Sequence, residues 1–448
     1  MGKYESYQET PYTWLPEVPN HWSSKTIRSI TKLSNERCCD RQYTLLSVYR
    51  EYGVIQKASR DDNRNVESED LSNYKVVAPG DLVLNKMKMW QGSLGVSKYQ
   101  GIVSPAYIVC NVIDSTINSD YLHMLLRSTG FKTYYNQFSY GVRVGQWDMH
   151  YDDFKKLVIY LPPSGEQDHI VRYLDWQTSK INQLIIIKKK QIEVLKEKKR
   201  AFITEIVMHG MNPLAQFKDT GIKLLGCIPK QWKIARNKYL FKEINDTGYT
   251  NLPLLSITNS SGVVLQSETG RKNRMSENVK TYKRIQPGDI GYNLMNAFIG
   301  SLGVAQQEGL ISPAYAVCRP IVPMCPKYFE YLYKTPIYLQ IFDNYSYGIM
   351  IERNRLYFEN FSKIFSIVPP IEEQEHIVKV VQQYENTIHA LISKIQQSIQ
   401  YLQEFRTRLI SDVVTGQIDV RNIEVPDFEL VEEPADEAEE PENEGEME

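Results

Sequence analysis

The stretch Pro-Pro-Ser-Gly-Glu-Gln-Asp-His-Ile-Val at 162–171 decides the fold, because it returns as Pro-Pro-Ile-Glu-Glu-Gln-Glu-His-Ile-Val at 369–378. Prolines are well tolerated at a helix N-terminus, where no backbone donor is lost. Acidic residues such as Glu166 and Glu373 follow each proline pair, and the helix dipole favours negative charge there. Both stretches therefore predict helix starts.

Each start opens a long charged helix, predicted at 162–209 and 369–416. In the second helix apolar residues recur at alternating steps of three and four over about five heptads, which is typical of a helix that packs along another helix. This apolar row comprises Ile377, Val381, Tyr384, Ile388, Leu391, Ile395, Leu402, Phe405, Leu409 and Val413. The first helix has the same spacing, interrupted by Lys188 and Lys199. The pattern predicts that the two helices form an intramolecular coiled coil. The alternative, that each helix packs on its own globular domain, stays open.

The rest of the chain is also duplicated. Residues 79–110 align without a gap to residues 287–318, with 17 identities in 32 positions. Shorter matches, such as Val18-Pro19 with Ile228-Pro229, keep nearly the same offset. The period is far longer than that of a solenoid repeat. We therefore predict a tandem duplication of one unit, a globular domain followed by a long helix.

These observations divide the chain into five segments. We predict a first domain at 1–161, a first helix at 162–209, a linker and second domain at 210–368, a second helix at 369–416, and an acidic disordered tail at 417–448. Within the first domain, runs rich in Val, Ile, Leu and Tyr predict strands at 44–49, 75–77, 81–87, 94–99, 106–112 and 157–161. Short helices are expected at 120–127 and 132–138, with Ser119 as a cap and Gly130 as the break between them. The fold class is α+β.

The charge distribution points to a polyanionic partner. The net charge of −2 hides a split, because residues 424–448 hold 13 Asp and Glu and no Lys or Arg. The remainder carries 52 basic and 41 acidic residues, a balance of +11. A basic body of this size suggests nucleic acid. No run of about 18 apolar residues predicts a membrane span, and six cysteines without paired spacing fit reduced thiols in the cytoplasm.

Motifs for catalysis are missing from the sequence. Gly92-Ser93-Leu94-Gly95 and Gly300-Ser301-Leu302-Gly303 lack the Gly-Lys-Ser/Thr of a phosphate-binding loop, and turn glycines explain them better. His169 and His376 occupy matching repeat positions without metal-ligand neighbours. We therefore expect no catalytic residue and no metal site, and the function that remains is binding.

The two repeats differ most in polar and aromatic residues of predicted loops. Arg, Lys, Asn and Gln can read base edges or hold phosphates, so two related scaffolds with different loops imply two different short sequences read. The candidate DNA-binding residues are Tyr49, Arg50, Lys86, Lys88, Trp90, Gln91, Arg143, Gln146 and Trp147 in the first repeat, and Asn259, Arg271, Lys272, Arg274, Asn293, Asn296, Arg353, Asn354 and Arg355 in the second.

The doubled Pro-Pro-x-x-Glu-Gln starts, the doubled Gly-Asp and Ser-Pro-Ala-Tyr motifs, and Ile228-Pro229 with Trp232 resemble those of the specificity subunit of type I restriction-modification systems. The similarity extends to about residue 423. It implies two tandem target recognition domains, each reading one half of a bipartite DNA site. It also implies two long helices that pair antiparallel and set the gap between the half-sites.

The same resemblance implies partners and cofactors. Two adenine-methylation subunits would dock on the helices, and further subunits would translocate and cleave DNA. S-adenosylmethionine, ATP and magnesium would be bound by those partners and none by this chain. Candidate docking residues are Glu166, Gln167, His169, Glu373, Gln374 and His376. Two alternatives remain open, an architectural coiled-coil protein that binds nucleic acid without sequence specificity and a single-chain nucleic-acid enzyme.

Overall fold

The computed structural model describes residues 2–38, 43–50, 52–59, 71–143, 146–269, 279–347 and 354–432, with only the backbone for 141–143 and 146. Within these residues the chain forms two compact units. The first unit contains residues up to 188 together with those from 396 onwards, and the second contains residues 189–395. Two long helices, α5 (Ser164–His209) and α9 (Ile371–Val414), each contribute one half to each unit.

The first unit contains an α+β domain with short elements. Its strands are β1 (Tyr7–Tyr12), β2 (Leu15–Pro19), β3 (Ser23–Thr26), β4 (Thr31–Ser34), β5 (Leu46–Tyr49), β6 (Gly53–Gln56), β7 (Lys75–Val77), β8 (Leu82–Asn85), β9 (Leu94–Val96), β10 (Gly101–Val103), β11 (Tyr107–Val112), β12 (Tyr140–Arg143), β13 (Gln146–Asp148) and β14 (Val158–Leu161). Its helices are α1 (Ile27–Ile30), α2 (Ser119–Arg127), α3 (Thr129–Phe138) and α4 (Tyr151–Phe154), with 3-10 turns η1 (Lys57–Ser59) and η2 (Met89–Gln91).

The second unit repeats this order. Its strands are β15 (Phe217–Asp219), β16 (Cys227–Pro229), β17 (Lys233–Arg236), β18 (Phe241–Glu243), β19 (Leu255–Thr258), β20 (Gly262–Leu265), β21 (Lys283–Ile285), β22 (Ile290–Asn293), β23 (Leu302–Val304), β24 (Gly309–Ile311), β25 (Tyr315–Pro320) and β26 (Phe365–Val368). Its helices are α6 (Pro326–Tyr333), α7 (Pro336–Tyr345) and α8 (Phe358–Phe361), with 3-10 turns η3 (Asn237–Tyr239), η4 (Gln266–Thr269), η5 (Val279–Thr281) and η6 (Ala297–Ile299).

A four-stranded antiparallel sheet lies at the centre of each domain. The strand order is β4-β11-β8-β9 in the first unit and β18-β25-β22-β23 in the second. Side chains alternate between the two faces of a strand, so each sheet separates two cores. In the first unit Leu82 and Leu84 face the helices, whereas Val83 and Val109 face the smaller strand pairs. Both repeats therefore use one sheet design, and the predicted α+β class is confirmed.

The halves of the long helices pack against each other in an antiparallel sense within each unit. In the first unit Arg406 Nη1 donates to Asn182 Oδ1 over 2.8 Å. In the second unit the rings of Phe202 and Tyr384 stack with centroids 3.9 Å apart, and Lys199 Nζ lies 3.2 Å from His389 Nε2. The lysine that interrupts the apolar row is thus accommodated by polar partners on the facing helix.

The helices also pack on the domains, so the two arrangements left open by the sequence occur together. Ile170 and Leu174 of α5, and Leu409 and Val413 of α9, belong to the main core of the first unit. Tyr121 of α2 donates to the carbonyl of Val414 over 2.9 Å. The equivalent Tyr328 of α6 donates to the carbonyl of Val207 over 3.0 Å. Each domain therefore fastens the C-terminal end of the helix that belongs to the other repeat.

Two local expectations about α2 and α3 were wrong. The cap of α2 is Asn118 rather than Ser119, since its side-chain oxygen accepts from the amides of Asp120 and Tyr121. Gly130 lies inside α3 and does not break it. A Cβ at Gly130 would come within 2.5 Å of the Trp14 ring, so the glycine is explained by close packing of the indole.

The prediction of a disordered tail from residue 417 was also wrong for residues 417–432. Val420 is fully buried, and Ile418, Ile423 and Val425 pack against the main core of the first unit. The segment then follows α5, where Asn182 donates to the carbonyl of Val431 over 2.8 Å. Apolar residues before the acidic run explain this order. The acidic residues beyond 432 lie outside the described part of the chain.

Candidate nucleic-acid interface

Three loops of the first unit carry the candidate reading residues. The first loop follows β8 and includes η2, which is anchored by the fully buried Met89 and ends at Gly92 with φ +88°. This left-handed conformation favours glycine. Lys88 is exposed, while Trp90 and Gln91 are half-buried. The tight anchor thus holds three candidate side chains in a fixed short loop.

The second loop belongs to the hairpin of β12 and β13. The backbones of Arg143 and Gln146 face each other in this hairpin. Trp147 meets Trp90 edge-to-face with centroids 5.4 Å apart, and Lys86 Nζ lies 3.5 Å from Asp148 Oδ2. The structure therefore brings Lys86, Trp90 and Trp147 together at one place on the first domain.

Trp90 carries an unusual polar atom in this cluster. Its indole Nε1 is shielded from solvent and donates no hydrogen bond within the described residues. A buried donor without an acceptor costs about 1–3 kcal/mol. An acceptor offered by a ligand would recover this free energy.

The third loop joins β5 to β6 and carries Tyr49 and Arg50. Arg127 of α2 ties it to the domain, donating to the carbonyl of Leu94 over 2.7 Å and to that of Arg50 over 2.8 Å. Gly53, with φ +76°, passes close to His123, whose ring carbon would lie 2.7 Å from an added Cβ. Arg50 and Gln91 line one cavity in this unit, together with residues of α2 and α9.

His123 is a buried structural acceptor beneath these loops. Its Nδ1 accepts from the amide of Val96 over 3.2 Å. Burial, reinforced by the nearby charge of Arg127, lowers the pKa of His123 to about 3. The imidazole is therefore neutral at physiological pH and supports the loops rather than contributing charge to the surface.

The corresponding loops of the second unit use other residues. Asn293 Oδ1 accepts from the amide of Met295 over 3.0 Å, and Asn296 precedes η6. The carbonyl of Asn259 accepts from Lys334 over 3.4 Å. Arg355 is exposed and pairs by backbone with Tyr347. These candidates occupy the same three loops as in the first unit.

The structure describes one of the five remaining candidates of the second unit. Asn354 is half-buried beside Arg355. Arg271, Lys272, Arg274 and Arg353 lie outside the described residues. Basic residues that the sequence reading missed are Arg127, Lys132 and Arg406, which lie on helices. Arg127 aligns with Lys334, so a basic residue at the same repeat position was the signal that could have revealed it.

The residues proposed for partner docking make contacts inside their own units. Glu166 accepts from Tyr4 Oη (2.8 Å) and Trp22 Nε1 (3.2 Å), and lies 2.7 Å from His21 Nε2. In the second unit Trp232 Nε1 donates to Glu373 over 2.8 Å. The acidic position thus joins each helix start to the tryptophan segment of its domain.

The glutamines of the same motif are buried. Gln167 accepts from the amide of Asn118 over 2.9 Å, and Gln374 accepts from the amide of Cys325 over 2.9 Å. His169 Nε2 lies 2.9 Å from the carbonyl of Val420, whereas His376 is exposed. Docking by these residues stays a prediction, and the structure gives most of them a local joining role.

Several apolar side chains of the long helices are exposed, including Leu391 and Phe405 of the row predicted to pack along the other helix. In the first unit Leu184, Ile187, Tyr401 and Phe405 are between 47% and 59% exposed. In the second unit Val194 and Leu391 are about 40% exposed.

Two negative findings apply to the described residues. No cluster of His, Cys, Asp and Glu there has an arrangement suited to a metal ion. No helix there combines the length and apolar character needed to cross a membrane.

Comparison with known proteins relates this architecture to one class. No family model matches the chain. One relative is a Methanocaldococcus jannaschii protein whose assignment as the type I restriction enzyme MjaX specificity subunit is itself inferred. It is 22% identical to this chain, over 94% of this chain and 98% of its own length.

Solved structures give a similar result. A chain from a structure on complex assembly and conformational transition of the type I restriction-modification system has a TM-score of 0.61 at 14% identity, covering 90% of this chain and 99% of that chain. The HsdS subunit of Thermoanaerobacter tengcongensis has a TM-score of 0.49 at 15% identity, covering 92% of this chain and all of that one.

The first of these structures shows that the chain has a fold present in the type I restriction-modification system. The full-length sequence similarity agrees with it, so the resemblance to type I specificity subunits is confirmed.

Proposed function

We propose that the chain is the DNA specificity subunit of a type I restriction-modification complex, in which each domain reads one half of a bipartite duplex site. The observation that carries the proposal is one scaffold used twice with different loop residues. Lys88 and Trp90 of the first unit correspond to Asn296 and Phe298 of the second. Different donors and acceptors on the same frame suit two different half-sites.

The antiparallel helix halves support a spacing role. Two long helices that pack along each other, with contacts such as Arg406–Asn182, would make a stiff connection, and a stiff connection between two reading domains would fix the separation of two half-sites. The exposed apolar side chains of the two helices, such as Ile187 and Tyr401, support docking of two adenine-methylation subunits. Translocating endonuclease subunits join where the system cleaves DNA.

The chain itself has a non-catalytic role in this proposal. The methylation subunits bind S-adenosylmethionine and transfer the methyl group, and the endonuclease subunits use ATP and magnesium. We place the complex in the cytoplasm, where its DNA substrate is. This division of labour agrees with the absence of catalytic motifs from the sequence.

A selection from random duplexes tests the proposal. The full chain, reconstituted with its methylation subunit, is expected to enrich a two-part motif with a fixed gap at stated salt. Exchange of residues 25–161 for those of a related chain should change one half of the motif and leave the other half intact. Salt-sensitive binding without any enriched motif would instead identify an architectural nucleic-acid-binding protein.

The spacing role has its own test. Insertion of one heptad into the middle of both α5 and α9 keeps the apolar row in phase. We expect the enriched motif to retain both half-sites and to acquire a longer gap. A control insertion in a surface loop should leave the gap unchanged. An unchanged gap after the helix insertions would refute the proposal that the helices set the gap between the half-sites.

A further inference from the structure

An exposed tyrosine follows the second short helix of each domain. Tyr140 is 57% exposed after α3, and the aligned Tyr347 is 56% exposed after α7. Each ring meets another exposed aromatic ring, Tyr140 with His150 at a centroid distance of 4.9 Å and Tyr347 with Tyr357 at 5.5 Å. Both units therefore present an exposed aromatic pair at the same place in the repeat.

The same hydrogen bond fixes each exposed tyrosine at the end of its helix. Ser139 Oγ donates to the carbonyl of Tyr135 over 2.6 Å, and Ser346 Oγ donates to that of Phe342 over 2.7 Å. The hydroxyl thus satisfies a carbonyl that the end of the helix leaves without a backbone donor. The backbone that precedes each exposed tyrosine is held in the same way in both units.

Each aromatic pair lies at the base of a candidate reading loop. Tyr140 pairs across the hairpin with Asp148, whose carboxylate lies 3.5 Å from Lys86 Nζ. In the second unit Tyr347 exchanges two backbone hydrogen bonds with Arg355, over 3.0 and 3.2 Å. Lys86 and Arg355 are both candidate DNA-binding residues. A duplex that reaches these residues would therefore also reach the aromatic pair of the same domain.

The loop between the two rings of a pair differs between the repeats, whereas the tyrosine does not. Each candidate reading residue of this loop has a different counterpart in the second repeat. Arg143, Gln146 and Trp147 align with Met350, Arg353 and Asn354. Two half-sites of different sequence differ in their bases but share the sugar–phosphate backbone. An identical side chain beside two different loops therefore suits the part of the DNA that does not change.

The chemistry of the aromatic pair also suits the backbone of a duplex. A phenol has an apolar face that can pack against a deoxyribose and a hydroxyl that can donate to a phosphate. In the second unit a cation lies beside the pair, since Arg355 Nη1 donates to Tyr357 Oη over 3.5 Å. A sugar–phosphate chain offers an apolar and an anionic surface side by side, which matches this combination.

We propose that each aromatic pair contacts the sugar–phosphate backbone of its half-site and holds its domain on the duplex independently of sequence. The inference rests on the proposed DNA-binding function and adds to it a contact that the two domains share. In this arrangement the loop residues read different bases, whereas Tyr140 and Tyr347 contribute affinity for every duplex.

Duplex binding by the full chain, reconstituted with its methylation subunit, tests the proposal on the selected target and on a random duplex. Tyr140→Ala and Tyr347→Ala should each weaken binding about tenfold on both duplexes. The enriched half-sites should stay the same. Because no charge is removed, the slope of log affinity against log salt should not change. Tyr140→Phe keeps the ring and should lose less affinity than Tyr140→Ala.

Tyr99→Ala is the matched control in the first unit. Tyr99 is 38% exposed, and its aligned residue is Gln307. It follows β9, which runs antiparallel to β8 and leads away from the loop that carries Trp90. Affinity for both duplexes should therefore stay within error. Since all three tyrosines are exposed, the fold should be retained in every variant, and thermal unfolding checks this.

Hydroxyl-radical footprinting locates the contact, because the radical attacks the deoxyribose. Tyr140→Ala should remove protection of a backbone position in one half-site, and Tyr347→Ala should do so in the other half-site. Protection that is unchanged in both variants would overturn the proposal, as would unchanged affinity of the double variant for both duplexes. A loss confined to the selected target, with a changed base preference in one half-site, would show instead that the rings read sequence.

A protein partner is the other class of ligand that an exposed aromatic pair can bind. Mass photometry without DNA counts the methylation subunits bound to each variant. Fewer bound subunits, with full affinity of the remaining complex for DNA, would assign the aromatic pairs to the partner and overturn the DNA contact. Failure of the proposed function gives a different result, since no motif would be enriched although the variants would still bind a random duplex less tightly.

Discussion

Each unit has its own copy of the same sheet, but the two units supply a different acceptor to one buried strand amide. In the first unit His123 accepts a hydrogen bond from the amide of Val96 at strand β9. In the second unit the aligned Glu330 accepts from the amide of Val304 at strand β23 over 2.9 Å. A neutral ring needs no counter-charge, whereas the carboxylate is met by Lys327 at 2.8 Å and Lys334 at 3.5 Å. Both repeats therefore place a hydrogen-bond acceptor at this aligned position, but the charge of the acceptor differs between them.

This difference has a consequence for the surface above. Around Glu330 the ammonium groups of Lys327 and Lys334 are engaged by one carboxylate, whereas the neutral His123 offers no negative charge to the side chains near it. The two units thus differ in charge at one aligned buried position.

Glu330→Ala should destabilise the second unit by about 4 kcal/mol. The substitution leaves Lys334 partly buried without its carboxylate and leaves the amide of Val304 without an acceptor. Urea unfolding measures the loss, and pulse proteolysis assigns the transition to a unit. Glu330→Gln is the control, because it keeps an acceptor and should cost clearly less. Equal losses for the two variants would mean that the charge is irrelevant.

Acid should destabilise the first unit through His123. Burial holds the pKa of His123 at about 3, whereas an unfolded histidine titrates near 6.5. The unfolded state therefore binds the proton first, so the free energy of unfolding is fully present above pH 6.5 and falls as the pH drops towards 3. The expected loss is about 2 kcal/mol between pH 6.5 and 4.5.

His123→Gln is the matched variant for that measurement, since it keeps a neutral acceptor that does not titrate. The difference in urea stability between wild type and variant should shrink steadily over the same pH range. Arg127 and Lys98 disfavour the protonated ring, and Asp120 favours it. A difference that does not vary with pH would show that His123 takes up its proton as readily in the folded chain as in the unfolded one.

The helix caps give the smallest effect. Thr335→Ala removes the cap of α7 and should cost about 1 kcal/mol. Ser128→Ala removes a hydroxyl that has no partner in the described residues, so stability should stay within about 0.5 kcal/mol of wild type or rise slightly. Urea unfolding of both variants checks this pair. A loss for Ser128→Ala as large as for Thr335→Ala would show that the Ser128 hydroxyl stabilises the start of α3, although it makes no cap hydrogen bond there.

The architecture was predictable because repetition is visible in the sequence. The paired Pro-Pro-x-x-Glu-Gln starts and the 79–110 match identified two domains and two long helices. The predicted limits of the strands were less exact. The prediction that Gly130 breaks a helix was wrong, because the position requires glycine to make room for the indole of Trp14, which comes from a distant segment. Similarly, residues 417–432 are ordered because they pack on the folded first unit, a contact that the sequence does not reveal.

The candidate interface was predictable only where loops carry it. Trp90 and Trp147 were predicted from the loop positions at which the two repeats differ, and their contact with each other required the fold. Arg127, Lys132 and Arg406 were missed because basic residues on helices are commonly solvated. Glu166 and Gln167 were assigned to a partner, yet their hydrogen bonds close the joint between helix and domain. A repeated motif at a helix start does not distinguish an internal joint from an external contact.

The segment 419–432 makes the two repeats unequal towards any ligand that recognises the flank of a long helix. It shields Ser179 and Asn182 of α5, which are 2% and 4% exposed, whereas the aligned Asn386 and His389 of α9 are open to solvent. A protein that grips both flanks would first have to displace a strap on one of them. Two identical partners would then bind with two different affinities, and the assembly would acquire an order of addition from a chain that is otherwise duplicated.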